Sequence, residues 1–152
     1  MLLDEVYARE APREEAVRFT FAFARMEYAL KNAGFFLVDE RHAVSADWDR
    51  FALKTNDLEE TATGELAKAV AYLYENPPMV ERERRGQIDF EAPARQGRSN
   101  AELCRMVRRV RNNLFHGGKV PYHDRDERLV RCSLEVLRAL LEQNEMVAAE
   151  FR

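Results

Sequence analysis

Ser99-Asn100-Ala101-Glu102-Leu103-Cys104-Arg105-Met106-Val107-Arg108-Arg109-Val110-Arg111-Asn112-Asn113-Leu114-Phe115-His116-Gly117-Gly118 is the stretch whose reading decides the fold. Leu103, Val107, Val110 and Leu114 recur at +4, +3 and +4, which draws one apolar stripe along a helix. Ser99 with Glu102 three positions later has the form of a capping box, and Gly117-Gly118 is a stop signal. At about 100° per residue, Arg105, Arg109, Asn112 and His116 fall on the side opposite the stripe, and Arg111 falls between, nearer the core edge. A His and an Asn turned away from a core are hard to explain as packing unless a ligand or a second subunit covers them. Arg111 and His116 supply a permanent cation and a group that titrates near neutrality, a minimal kit for holding and cleaving a phosphodiester.

Outward from that helix, the chain reads as further helices. Over residues 13–34, Phe19, Phe23, Met26 and Leu30 form one stripe and Val17, Phe21, Ala24 and Tyr28 a second, ended by Gly34. The alternation Val17, Phe19, Phe21, Phe23 also fits a strand, but length and the surrounding Ala, Glu, Met, Leu and Lys favour helix. Two apolar stripes imply burial on two sides, and in a small bundle the second side can be a subunit interface. Ser45 is placed to cap a short helix through Thr55 that carries Trp48 and Phe51 inward. The next helix starts at Asp57 or Thr63, carries Leu66, Val70 and Leu73, and ends at Glu75 before Asn76-Pro77-Pro78. Residues 76–98 have no clear period and are expected to form a long loop with an extended piece at Ile88-Asp89-Phe90. Asp124 is placed to cap a last helix to Glu150, with Val130, Leu134, Leu137 and Leu141 as its seam. The fold class expected is therefore all-α: a bundle of four main helices plus one short helix, with a long loop before the motif helix.

Length and composition agree with one domain over residues 1–152, long enough to bury about two-thirds of the unfolded surface without staples. No apolar run approaches the roughly 20 residues of a membrane span, and no signal peptide is evident, so a cytoplasmic protein is expected. Cys104 and Cys132 lack CxxC spacing and read as buried thiols, so neither metal nor cofactor is expected. A formal charge of −3 argues against indiscriminate coating of nucleic acid. Yet between Asn100 and Lys119 the cations Arg105, Arg108, Arg109, Arg111 and Lys119 face Glu102 alone. A cationic helix on an acidic body suits one localised polyanion site. The alternative for Arg105, Arg108 and Arg109 is a solvated face salt-bridged to neighbouring Glu residues.

The run Val107-Arg108-Arg109-Val110-Arg111-Asn112-Asn113-Leu114-Phe115-His116-Gly117-Gly118-Lys119 resembles a prokaryotic branch of the HEPN superfamily (higher eukaryotes and prokaryotes nucleotide-binding domains). Its ribonuclease members carry Arg-x4-6-His, often with Asn, Asp or His after the Arg, near the end of the third main helix of a small bundle. Arg111, Asn112 and His116 match that signature position by position; elsewhere the similarity is confined to the order of helices. The resemblance implies a metal-independent endoribonuclease of toxin or defence type, acting on RNA as a homodimer whose two motifs line one cleft. It also implies an antitoxin or other regulatory protein as a partner. In members silenced by a nucleotidyltransferase, a Tyr lies two residues after the motif His; here that position is Gly118, so this mode of control does not carry over.

In such a centre Arg111 clamps the scissile phosphate, His116 exchanges a proton with the 2′-hydroxyl or the leaving 5′-oxygen, and Asn112 orients them. Arg105, Arg108, Arg109 and Lys119 are the RNA-binding candidates. Glu27 of the first helix is a further catalytic candidate, since some members place an acidic residue there, against the reading of a surface or salt-bridged Glu. For His116 the alternative is a helix-end histidine held by the last carbonyls. Arg111 and His116 lie about 140° apart around an ideal helix, which a single subunit does not bring onto one atom without distortion. The competing function is a HEPN-like module that binds RNA or nucleotide, or dimerises with a partner, without cutting.

Overall fold

Phe19, Phe23, Met26 and Leu30 are buried on the inner side of helix α1 (Glu14–Asn32), as their spacing predicts. In this computed structural model the described residues are 4, 5, 8, 13–94, 97–115 and 123–152. After α1 come the hairpin β1 (Phe36–Val38) and β2 (Val44–Ala46), two short helices α2 (Trp48–Ala52) and α3 (Leu58–Thr61), and α4 (Gly64–Glu75). A second hairpin, β3 (Val80–Arg84) and β4 (Gln87–Glu91), precedes α5 (Asn100–Phe115), α6 (Asp124–Glu142) and α7 (Glu145–Phe151). Across the described residues the protein is mostly helical with two small antiparallel sheets rather than purely α.

The core follows the helical stripes. Leu103, Val107 and Val110 of α5 meet Leu129, Val130 and Val136 of α6, Leu73 of α4 and the aromatic group Phe23, Trp48 and Phe51 in one buried cluster. Helix α6 packs on α1, α4 and α5, so its amphipathic seam is the centre of the bundle. Helix α7 lies along α1, where Arg25 donates to the carbonyls of Phe151 (2.7 Å) and Arg152 (3.1 Å), satisfying helix-end acceptors. Cys104 and Cys132 are both buried free thiols, and burial pushes Cys104 up to about 12.

Several boundaries differ from the sequence reading. Ser45 is not a cap but the middle of β2; Asp47 caps α2, its carboxylate accepting from Arg50 N (3.0 Å). Asp57 and Thr63 each begin a helix, so the expected single segment is two. The last helix is broken after Glu142, where Asn144 accepts from Val147 N (3.1 Å) and starts α7. His123, one residue before the expected Asp124, is the N-cap of α6, with Asp126 accepting from His123 N (3.0 Å). The largest correction concerns residues 76–98. Val80 to Glu91 form a paired hairpin whose two-residue turn, Arg85-Gly86, has φ of 53° and 80°. Both central residues are left-handed, as the strand-matched turns of tight hairpins require. An arginine at the first position hid that turn from sequence reading.

Candidate functional site

Helix α5 is fixed at its start by polar burial. Ser99 Oγ accepts from Glu102 N (3.1 Å), the forward half of a capping box. The reverse half is replaced: the buried Glu102 carboxylate takes Arg105 as partner. Asn100, also buried, accepts from Leu58 N (3.0 Å) and donates to Thr55 Oγ1 (2.7 Å) and Asn56 O (2.8 Å), locking α3 to the helix. Near the other end, buried Asn113 donates to Met79 O (3.0 Å) and ties the base of the β3–β4 hairpin to α5. Sequence reasoning gave Asn100 and Asn113 no role. Neither stands at a regular interval, and only tertiary contact reveals that each satisfies a backbone group that burial would otherwise strand.

Arg111 lies where α5 meets α1. Its guanidinium sits 4.4 Å from the centroid of Phe115 and 5.6 Å from that of Phe23, and it donates to Asn112 Oδ1 (3.1 Å). Among the described residues it has no carboxylate partner, so its charge is held by aromatic faces rather than neutralised. Phe115, against which Arg111 rests, is 57% exposed. Glu27 is one helical turn from Phe23 on α1 and half-buried; its Oε1 accepts from Trp48 Nε1 (3.0 Å). Trp48 in turn stacks on Phe23 with centroids 5.3 Å apart. The aromatic pair thus links Glu27 to the ring against which Arg111 rests. Among the described residues the carboxylate is held by an indole and has no ion pair.

The remaining arginines gather on a different side of α5. Arg105, Arg108, Arg109 and Asn112 line a groove of about 670 Å³ closed by Arg82 and Ile88 of the β3–β4 hairpin. Arg105 is committed within the protein: it pairs with Glu102 and lies 4.0 Å from Asp49. Arg108 has no ion pair among the described residues. Arg109 is half-buried, with its Nη1 buried and unpartnered. Burial, first, lowers its pKa; Glu102 opposes that effect, and the like charges of Arg105 and Arg82 add to it. Asn112 belongs to both groups, touching Arg111 and lining the groove.

Two sequence candidates, His116 and Lys119, lie outside the described residues, as do Gly117, Gly118 and Tyr122. Among the described residues no group of three or more His, Cys, Asp or Glu is placed to hold a metal ion, and no helix is long and apolar enough to cross a membrane. Compared with known proteins, the chain matches no family model, no curated protein and no solved structure.

Proposed function

We propose that the chain is a HEPN-like, metal-independent endoribonuclease of toxin or defence type. The single observation that carries this reading is Arg111: a guanidinium with no carboxylate partner among the described residues, on the last turn of the described motif helix, next to Asn112 and against the exposed Phe115. Guanidinium matches phosphate oxygens with two parallel hydrogen bonds and stays charged at neutral pH, so it holds the scissile phosphate and stabilises charge developing on it. His116, five positions on, moves the proton of the ribose 2′-hydroxyl or of the leaving 5′-oxygen. Bond formation from the 2′-oxygen to phosphorus and loss of the 5′-oxygen leave a 2′,3′-cyclic phosphate and a 5′-hydroxyl. Asn112 orients Arg111, and Glu27, fixed by Trp48, assists from α1. The four-helix core with the motif on its third long helix supports the same family. A cytoplasmic setting and an antitoxin or other regulatory protein complete the reading.

The test is cleavage. Purified protein is expected to cut single-stranded RNA with EDTA present and to spare DNA of the same sequence, which lacks the 2′-hydroxyl. A metal requirement or equal cutting of DNA rejects the mechanism.

We place the active form as a homodimer. The second stripe of α1 is uncovered in the single chain: Phe21 is 71% exposed, with Val17 and Tyr28 exposed beside it. Three large apolar side chains along one helix face are a poor surface to leave in water and a good one for an isologous contact. Light scattering is expected to give twice the chain mass at micromolar concentration, and Phe21→Glu to give the single-chain mass with the helical signal retained. A monomeric wild-type protein that still cleaves RNA would reject the composite site.

The second reading, an RNA-binding module that does not cut, is favoured by one observation. The arginines of the groove need no histidine to hold a polyanion. The two readings separate at His116.

A further inference from the structure

We propose that the groove between the β3–β4 hairpin and the outer face of α5 seats the sugar–phosphate backbone of one RNA strand, with Arg109 as the buried anchor and Arg82 as the hairpin's contribution. This rests on the reading of the protein as RNA-binding and adds to it a path for the strand.

Five observations carry it. Arg109 presents a buried Nη1 with no acceptor, an arrangement that a folded protein relieves with water or with an anion. The nearest acid on its own helix, Glu102, is already taken by Arg105. Arg82 of the hairpin lines the same groove as Arg109, so that like charges share it, which is tolerable mainly when a polyanion lies between them. Arg82 and Arg108, moreover, have no ion pair among the described residues. Of the two acids along the groove, Glu83 is turned to the hairpin bend, where it accepts from Gly86 N; Glu81 is left as the counterweight.

The shape selects a single strand. A volume of about 670 Å³ is that of a small-molecule cleft, enough for a nucleotide or two but not for a duplex, which proteins engage from outside through its grooves. Exposed Ile88 on β4 offers an apolar edge for a base whose phosphate is held by the arginines. Asn112, shared with Arg111, marks where this path passes to the proposed cutting centre.

The experiment is a binding titration of a fluorescently labelled 2′-O-methyl RNA decamer, which lacks the free hydroxyl needed for cleavage, against the full chain at about 50 and 200 mM salt. Arg82→Ala, on an exposed strand position, and Arg109→Gln are each expected to weaken binding by about 5- to 10-fold and to flatten the salt slope by about 0.7. Arg138→Ala, on the outer side of α6, is expected to change neither. The decamer annealed to its complement is expected to bind more weakly than the single strand. If the wild-type protein binds and Arg82→Ala and Arg109→Gln bind as tightly, the groove is not the path, and the proposed function stands without it. If the duplex binds as well as the single strand, the strand selection is wrong. If the wild-type protein binds no RNA, this inference and the proposed function both fall.

Discussion

His116→Ala is expected to leave RNA affinity where it was and to slow cleavage by at least about 100-fold, because a positioned acid-base group contributes roughly 100- to 10,000-fold. Binding should survive because the phosphate contacts proposed above belong to other residues: Arg111 beside Asn112, and Arg108, Arg109 and Arg82 around the groove. A neutral or partly charged imidazole adds little to a permanent cluster of guanidinium groups. The check is a pair of measurements on one preparation, an equilibrium titration with uncleavable RNA and a single-turnover rate with cleavable RNA. An unchanged rate removes His116 from the chemistry and leaves the binding-module reading in its place.

Arg111→Ala is expected to be the most damaging substitution for the combined readout, lowering the rate by about 100- to 1,000-fold while also weakening binding. Its guanidinium is the cation next to Asn112 that no carboxylate of the described residues neutralises. In the proposed mechanism its removal deletes both a ground-state phosphate contact and the charge that stabilises the transition state. The fold should tolerate the loss, because Arg111 contributes ring contacts at the edge of the core, worth about 0.5–1 kcal/mol at exposed sites, and no buried ion pair. Arg111→Lys keeps the charge but not the two-pronged geometry, and its rate should fall between wild type and Arg111→Ala. Single-turnover rates with a melting curve for each variant check this. A rate for Arg111→Ala within about threefold of wild type contradicts the role.

What the sequence disclosed is what periodicity carries. Leu103, Val107 and Val110, or Phe19, Phe23, Met26 and Leu30, repeat at helical spacing because each helix buries one side, and all of them are in the core. The hairpins were hidden for a local reason. Phe36-Leu37-Val38 is too short for a period to declare itself, and Val80-Glu81-Arg82-Glu83-Arg84 is mostly charged, with Arg85-Gly86 in place of the usual Asn-Gly or Asp-Gly turn. Missing the second hairpin meant missing Arg82, since a residue forecast to lie in a loop has no fixed neighbour. Charge patterning found the basic side of α5 but could not sort it. Arg105 is bound to Glu102, Arg109 is half-buried under the hairpin, and Arg111 rests on Phe23 and Phe115; these fates depend on partners far away in the chain. Likewise, Glu27 could be nominated from a resemblance, whereas its hold on Trp48 is visible only once α2 folds against α1.

The central claim is that this chain cuts RNA with the substrate's own 2′-hydroxyl as nucleophile, and end-group analysis of the products made in EDTA tests it most directly. The expected result is a 2′,3′-cyclic phosphate on one fragment and a 5′-hydroxyl on the other, with no cut where the nucleotide 5′ of the scissile bond is 2′-deoxy. Products bearing a 5′-phosphate and a 3′-hydroxyl, or cleavage that persists at the 2′-deoxy position, would contradict it.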